Sequence, residues 1–145
     1  MTITVNDMMT KGLETIEEFS SIQDAARKMR DMNVSSLVVV DSEGKPLGIV
    51  TERDIVRKAC VNDISTSGVT IKEIMSTKLI TISPDSSAPT AIDMMLRNNI
   101  RHLLVVDKYD TEKPIGMITP LDLRDEESTD QGLIDAIEEL SMYYR

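Results

Sequence analysis

Residues 20–41 read SSIQDAARKMRDMNVSSLVVVD, and residues 86–107 read SSAPTAIDMMLRNNIRHLLVVD, which is a second version of the same pattern. Around this pair, positions 5–41 align with positions 71–107 without a gap, and 13 of the 37 positions are identical. After a two-residue insertion the shift becomes 68, and Pro46, Gly48, Thr51 and Asp54 return as Pro114, Gly116, Thr119 and Asp122. The chain is therefore a tandem repeat of one unit of about 55 residues.

Each copy predicts a strand, a helix, two strands and a second helix. Residues 13–16 and 79–82 are short runs with β-branched side chains, and the serines after them suit helix N-caps. Apolar residues follow at helical spacing: Ile22, Ala25, Ala26, Met29 and Met32 in the first copy, and Ala91, Ile92, Met95 and Leu96 in the second. Residues 37–40 and 103–106 are continuously apolar, which is typical of strands covered on both faces. Residues 47–50 and 115–118 return as their hairpin partners.

These elements predict an α/β (α+β) fold, with repeats at residues 5–60 and 71–127, a linker at 61–70 and an acidic C-terminal helix at 128–145. A unit of about 55 residues has a marginal core, so we expect the two copies to pack through pseudo-twofold symmetry. Leu133, Ile137, Leu140 and Tyr144 form an apolar stripe on the last helix. We expect this stripe to dock on the protein's own dimer; a partner protein is the alternative.

The composition argues against several classes of function. The 145-residue chain has a formal net charge of -9, with three tyrosines, one phenylalanine and no tryptophan. Nucleic-acid binding depends on basic residues and stacking aromatics, so we expect no nucleic-acid partner. The apolar runs are far shorter than a membrane span, and residues 1–7 lack the features of a secretory signal. We therefore expect a cytoplasmic protein that does not enter a membrane.

The single cysteine, Cys60, and the single histidine, His102, are too few for a structural zinc site, and we expect no metal. A Cys60 and His102 pair is conceivable as a catalytic dyad, but no third group in the sequence orients it. We expect Cys60 to be a small buried hydrophobic residue and the chain to have no catalytic site. His102 is either a partly buried structural histidine or a ligand contact.

The two Thr-x-x-Asp motifs, at residues 51–54 and 119–122, permit two interpretations. In one, the aspartate offers two acceptor oxygens to the adjacent hydroxyls of a ribose, and the helix start offers backbone N–H groups to a phosphate. The preceding glycine then lets backbone and ligand approach closely. In the other, threonine and aspartate form a capping box that only stabilises the helix. One threonine can serve both roles.

The sequence resembles a tandem pair of cystathionine β-synthase (CBS) domains, a Bateman module, over about residues 5–124. The resemblance rests on GIVTERD at 48–54 and GMITPLD at 116–122, which close the two copies. It also rests on MMT at 8–10 and IMS at 74–76, which open them, and on VVVD at 38–41 and LVVD at 104–107. Two such motifs at matching places in a duplication are much more specific than one.

The resemblance implies a regulatory module with two clefts between the copies, which bind adenosine compounds such as AMP, ADP, ATP or S-adenosylmethionine. We expect this module to stand alone. Carried over by position, the first cleft combines Thr51, Asp54, Ser76, Leu79, Ile100, Arg101 and His102. The second cleft combines Thr119, Asp122, Thr10, Leu13, Val34, Ser35 and Ser36. The resemblance also implies a homodimer formed through helices, and a separate protein that the module regulates.

The copies differ where phosphate is expected, because Arg101-His102 in the second copy corresponds to Ser35-Ser36 in the first. We therefore expect a phosphorylated ligand in the Asp54 cleft, and a less charged ligand or none in the Asp122 cleft. The alternative function is a structural or interaction protein with empty clefts, which acts through dimerisation and its C-terminal helix. Hydrolysis of a bound nucleotide is a third hypothesis.

Overall fold

A computed structural model describes residues 3–124 and 131–142. The chain forms two compact units whose bounds differ from those of the sequence repeats. The first unit runs from Leu13 to Leu79, and the second combines the residues up to Gly12 with those from Ile80 onward. The segment that opens each repeat therefore belongs to the unit that contains the rest of the other repeat.

The elements alternate as the repeat predicts. In chain order they are α1 (Val5–Met8), β1 (Thr15–Glu17), α2 (Ile22–Met32), β2 (Ser36–Val40), β3 (Pro46–Thr51), α3 (Glu52–Asp54), β4 (Thr81–Ile82), α4 (Ala88–Asn98), β5 (Leu103–Val106), β6 (Pro114–Ile118), α5 (Pro120–Arg124) and α6 (Gln131–Met142). A π-helical turn, Ile55–Cys60, continues α3, and a 3₁₀ turn covers Ile71–Glu73. No helix within the described ranges has both the length and the hydropathy of a membrane span.

Each unit contains one three-stranded sheet of the same topology. In the first, β1 pairs parallel to β2 across the α2 crossover, and β2 pairs antiparallel to β3. In the second, β4 pairs parallel to β5, and β5 pairs antiparallel to β6. The register shifts at equivalent places, between Val39 and Val40 and between Val105 and Val106. The predicted order of strands and helices is confirmed in both copies.

The two long helices of the repeats are capped by the same residue types. The hydroxyls of Ser21 and Ser87 accept the backbone N–H three residues ahead, at 3.0 and 3.3 Å. Asn33 and Asn99 end the helices in the left-handed region, with φ of 55° and 51°. Asparagine tolerates that conformation better than most residues. The serine caps predicted from the sequence are thus confirmed.

The buried faces of these helices are narrower than the sequence predicts. In α2, Ile22, Ala25 and Met29 are buried, whereas Ala26 and Met32 are exposed. In α4, the predicted Ala91, Ile92 and Met95 are buried, whereas Leu96 is 43% exposed. The small sheet of each unit therefore covers only part of the apolar face of its helix.

The opening segments of the repeats belong to the cores of their units. Val5 and Met9 pack in the core of the second unit, and Ile71 and Ile74 pack in the core of the first. The predicted linker, residues 61–70, also makes ordered contacts in the first unit, where the Ile22 N–H donates to the Val69 carbonyl at 3.0 Å.

The C-terminal helix α6 packs in the core of the second unit. Ile137 and Leu140 are buried in the core of the second unit, in the same cluster as Leu123. The side chain of Leu133 and the whole of Tyr144 lie outside the described residues. The two described members of the stripe are therefore buried by their own unit, and do not form the dimer-docking face that we expected.

Cys60 is exposed, so the prediction of a buried cysteine is wrong. The π-helical turn Ile55–Cys60 buries its neighbour Ala59 completely. Adjacent residues of a helix point in different directions, which places the thiol of Cys60 outside the core.

Candidate functional site

The first Thr-x-x-Asp motif forms a capping box where β3 ends and α3 begins. The Thr51 N–H and hydroxyl donate to Asp54 Oδ2 at 3.0 and 3.1 Å, and the Asp54 N–H donates back to Thr51 Oγ1 at 3.1 Å. The capping interpretation of this motif is therefore confirmed in geometry. Because it uses only one carboxylate oxygen, it leaves room for a second role.

The other oxygen of Asp54 faces a lysine that the sequence analysis did not single out. Lys58 Nζ lies 3.1 Å from Asp54 Oδ1 and donates to the Ile74 carbonyl at 3.0 Å. The Asp54 side chain is 16% exposed and that of Lys58 is 47% exposed. The i,i+4 spacing of acid and base on a helix is the sequence signal that could have found this pair.

The second Thr-x-x-Asp motif makes the same contacts to Oδ2 of its aspartate, but its Asp122 N–H donates to the Thr119 carbonyl at 3.1 Å. The Thr119 N–H and hydroxyl donate to Asp122 Oδ2 at 2.9 and 3.3 Å. The Thr10 hydroxyl donates to Asp122 Oδ1 at 3.0 Å. The structure thus brings together three residues assigned to one cleft from the sequence, two from the end of the second repeat and one from the start of the first.

Each aspartate keeps one acceptor position. A carboxylate oxygen accepts about two hydrogen bonds. In both motifs Oδ2 already accepts two, whereas Oδ1 accepts one, from Lys58 beside Asp54 or from Thr10 beside Asp122. One ribose hydroxyl can therefore bind Oδ1 directly, and a second can bind it if that donor moves away.

Gly48 and Gly116, which precede the two motifs, let another segment of the chain pack against their backbone. A Cβ on Gly48 would lie 2.3 Å from the Ser76 carbonyl oxygen, and one on Gly116 would lie 2.5 Å from Met9 Sδ and 3.0 Å from the Thr10 carbonyl oxygen. Ile49 exchanges two backbone hydrogen bonds with Ser76, at 3.0 and 2.9 Å. The space expected for a ligand beside these glycines is thus occupied by the opening segments of the repeats.

The start of α3 has fewer open N–H groups than expected. The Glu52 N–H donates to the Ser35 carbonyl at 3.0 Å, and the Asp54 N–H is capped by Thr51. Two of the first three helical N–H groups are thus satisfied within the first unit. Phosphate binding at this helix start therefore has less support in the structure than in the sequence.

Arg101 lies half-buried in the second unit and contacts α6. Its Nε donates to the Leu140 carbonyl and its Nη1 to the Ile100 carbonyl, both at 3.2 Å. The last carbonyls of a helix lack partners within the helix and favour cations. The guanidinium expected to bind phosphate therefore also caps the C-terminus of α6. His102, half-buried, directly precedes β5.

The predicted site residues divide between the two units. The first unit contains Thr51, Asp54, Ser76, Leu79, Leu13, Val34, Ser35 and Ser36, and the second contains Thr119, Asp122, Thr10, Ile100, Arg101 and His102.

Comparisons with known proteins agree with this architecture. The CBS domain family matches residues 5–60 and 71–129. The CBS domain-containing protein YhcV of Bacillus subtilis is 30% identical over 94% of this chain and 94% of its own length. The protein MJ1404 of Methanocaldococcus jannaschii is 37% identical over 82% of this chain, which spans only 30% of that protein.

A solved structure is similar in both sequence and fold. The CBS domain pair of protein MJ0100, in complex with 5-methylthioadenosine and S-adenosyl-L-methionine, is 31% identical, with a TM-score of 0.74. The match covers 86% of this chain and 94% of that one. With two family matches and two sheets of the same topology, this chain belongs to the CBS domain family as a tandem CBS pair.

Proposed function

We propose that this CBS pair is a regulatory module that binds adenosine compounds and signals their presence to another protein. The observation that carries the proposal is the open acceptor position on Oδ1 of both Asp54 and Asp122. A carboxylate beside a helix start suits the hydroxyls of a ribose, the part that all adenosine carriers share. The solved CBS pair of MJ0100 was obtained with two adenosine compounds, which supports the same ligand class here.

The two proposed clefts are those assigned by position. Asp54 with Thr51, Ser76 and Leu79 would hold one ligand together with Ile100, Arg101 and His102. Asp122 with Thr119 and Thr10 would hold the other together with Leu13, Val34 and Ser35. With few aromatics in the chain, aliphatic side chains such as Leu79 and Ile100 would enclose the adenine. A phosphorylated ligand is proposed for the Asp54 cleft.

The thermal shift of the protein with AMP, ADP, ATP, S-adenosylmethionine, NADH and cyclic di-AMP tests this function. A true ligand at 100 times its dissociation constant stabilises the folded protein by about 2.7 kcal/mol. We expect at least one adenosine compound to raise the melting temperature. A panel in which no adenosine compound stabilises the protein would contradict the proposal.

The module is proposed to act as a cytoplasmic homodimer without enzymatic activity of its own. Exposed apolar side chains on helical segments, such as Val56 at 56% and Leu121 at 64%, support association between copies. Light scattering at micromolar concentration should give the mass of a dimer, and a monomer would contradict that part. Unchanged ATP after prolonged incubation is expected, and appearance of ADP or AMP would indicate hydrolysis.

The alternative, an interaction protein with empty clefts, depends on the C-terminal helix as its active surface. Ile137 and Leu140 of α6 are buried in the second unit, so these apolar side chains are unavailable to a partner in this conformation. The ligand-binding proposal is therefore the better supported of the two.

A further inference from the structure

We propose that Lys58 makes the Asp54 site selective for adenosine ligands that carry a phosphate, whereas the Asp122 site prefers uncharged or cationic adenosine compounds. The inference rests on the proposed function, and it concerns which member of the ligand class each aspartate holds. It starts from a difference between two otherwise equivalent motifs: Oδ1 faces an ammonium group at Asp54 and a neutral hydroxyl, from Thr10, at Asp122.

Lys58 is held in place from two sides. Its Nζ contacts Asp54 Oδ1 at 3.1 Å and the Ile74 carbonyl at 3.0 Å. An ammonium group has three N–H donors, and these contacts use two of them. With 47% of its side chain exposed, Lys58 can offer the third donor to a ligand. The cation is therefore positioned next to the oxygen that a ribose would contact.

A phosphate on a ribose held by Asp54 would lie within the field of this cation. The electrostatic screening length is about 8 Å at physiological ionic strength. The distance between a ribose hydroxyl and a phosphate on the same sugar is shorter than this length. Lys58 also neutralises the carboxylate, which would otherwise repel a phosphate. A phosphorylated ligand therefore gains an electrostatic attraction to Lys58 that an uncharged nucleoside lacks.

The second motif has the opposite charge balance. The hydroxyl of Thr10 leaves the charge of Asp122 uncompensated at that contact. The position equivalent to Lys58 in the second repeat is Glu126. A phosphate is therefore disfavoured beside Asp122, and a neutral or positively charged adenosine compound is favoured.

Calorimetric titration of an Asp122→Asn protein with AMP and with adenosine isolates the first site. Adding Lys58→Met should weaken AMP binding about tenfold, the effect of losing one charged hydrogen bond, and should not weaken adenosine binding. Lys58→Arg should keep most of the AMP affinity. Arg57→Met, which removes the same charge one residue away, is the matched control and should have little effect.

The outcomes separate this inference from the proposed function. If the Asp122→Asn protein binds neither compound, the inference is overturned, and the melting-temperature panel decides the proposed function. If it binds AMP but Lys58→Met weakens both compounds equally or neither, or if Arg57→Met weakens AMP as much, the inference is overturned and the function stands. If Lys58→Met does not fold, a lysine is placed at the second site instead, by Thr10→Lys in an Asp54→Asn protein. We expect this change to raise the affinity for AMP relative to that for adenosine, and the absence of such a rise overturns the inference.

Discussion

Replacing Gly48 by alanine tests how tightly the opening segment of the second repeat is held against β3. The new Cβ would lie 2.3 Å from the Ser76 carbonyl oxygen, about 1 Å closer than an ordinary contact. Moving that carbonyl away stretches the two backbone hydrogen bonds between Ile49 and Ser76, which now measure 3.0 and 2.9 Å. Each is worth about 1 kcal/mol, and overpacking adds about 1–3 kcal/mol. Alanine also reduces the conformational entropy of the unfolded chain, which offsets less than 1 kcal/mol of this loss.

We therefore expect Gly48→Ala to lower the free energy of unfolding by about 3 kcal/mol, or the melting temperature by roughly 9 °C. Gly116→Ala should cost about 1 kcal/mol, because the shortest contact of its Cβ is with the flexible end of Met9. Gly68→Ala is the control, since its Cβ would meet only the side chain of Ser65. Urea and thermal denaturation measure all three. A Gly48→Ala protein that melts within 2 °C of the parent, roughly the shift for half a kcal/mol, would contradict this contact, as would a larger loss of stability in Gly116→Ala than in Gly48→Ala.

Three further changes test the local contacts. Thr51→Ala should cost about 1 kcal/mol in urea denaturation through loss of the cap, while Thr51→Ser should keep most of it; equal losses would contradict the capping geometry. Arg101→Ala should speed hydrogen exchange in the last turn of α6 by removing the contact with the Leu140 carbonyl, and unchanged exchange would argue against that contact. The Thr4 N–H and hydroxyl lower the pKa of Asp7. These contacts of Asp7 therefore stabilise the folded protein at pH values above the ordinary aspartate pKa, and the stabilisation is lost as the pH falls through the lowered pKa of Asp7. Thr4→Val should raise the pKa of Asp7 in an NMR titration, and no rise would contradict the hydroxyl contact.

The order of elements could be predicted because each repeat carries its own periodicity and caps. Ser21 and Ser87 mark helix starts, and the runs at 37–40 and 103–106 are apolar enough to indicate buried strands. The Thr-x-x-Asp motifs were located for the same reason, since position within a duplication makes a short motif specific. Local pattern was sufficient for these features because local geometry decides them.

Features that depend on contacts between distant segments could not be predicted. Sequence alone did not show that Gly48 faces the Ser76 backbone, that Arg101 reaches the end of α6, or that Cys60 lies on the outer side of a π-helical turn. Lys58 was missed because its acid partner had already been assigned to a ligand. The Gly48 and Arg101 contacts join residues whose separation in sequence carries no periodic signal. The exposure of Cys60 depends on the winding of its π-helical turn, and the Lys58 contact competes with the ribose role predicted for Asp54.

The most direct test of the central claim is a calorimetric titration of the Asp54→Asn, Asp122→Asn double variant with the adenosine compound that most stabilises the parent protein. Asparagine keeps the size and one acceptor oxygen of aspartate, so the unliganded variant should still fold and melt cooperatively. We predict that binding is lost in the double variant and retained in a control that carries Asp110→Asn, an exposed aspartate outside the motifs. Binding of the double variant with the parent's affinity would contradict the account.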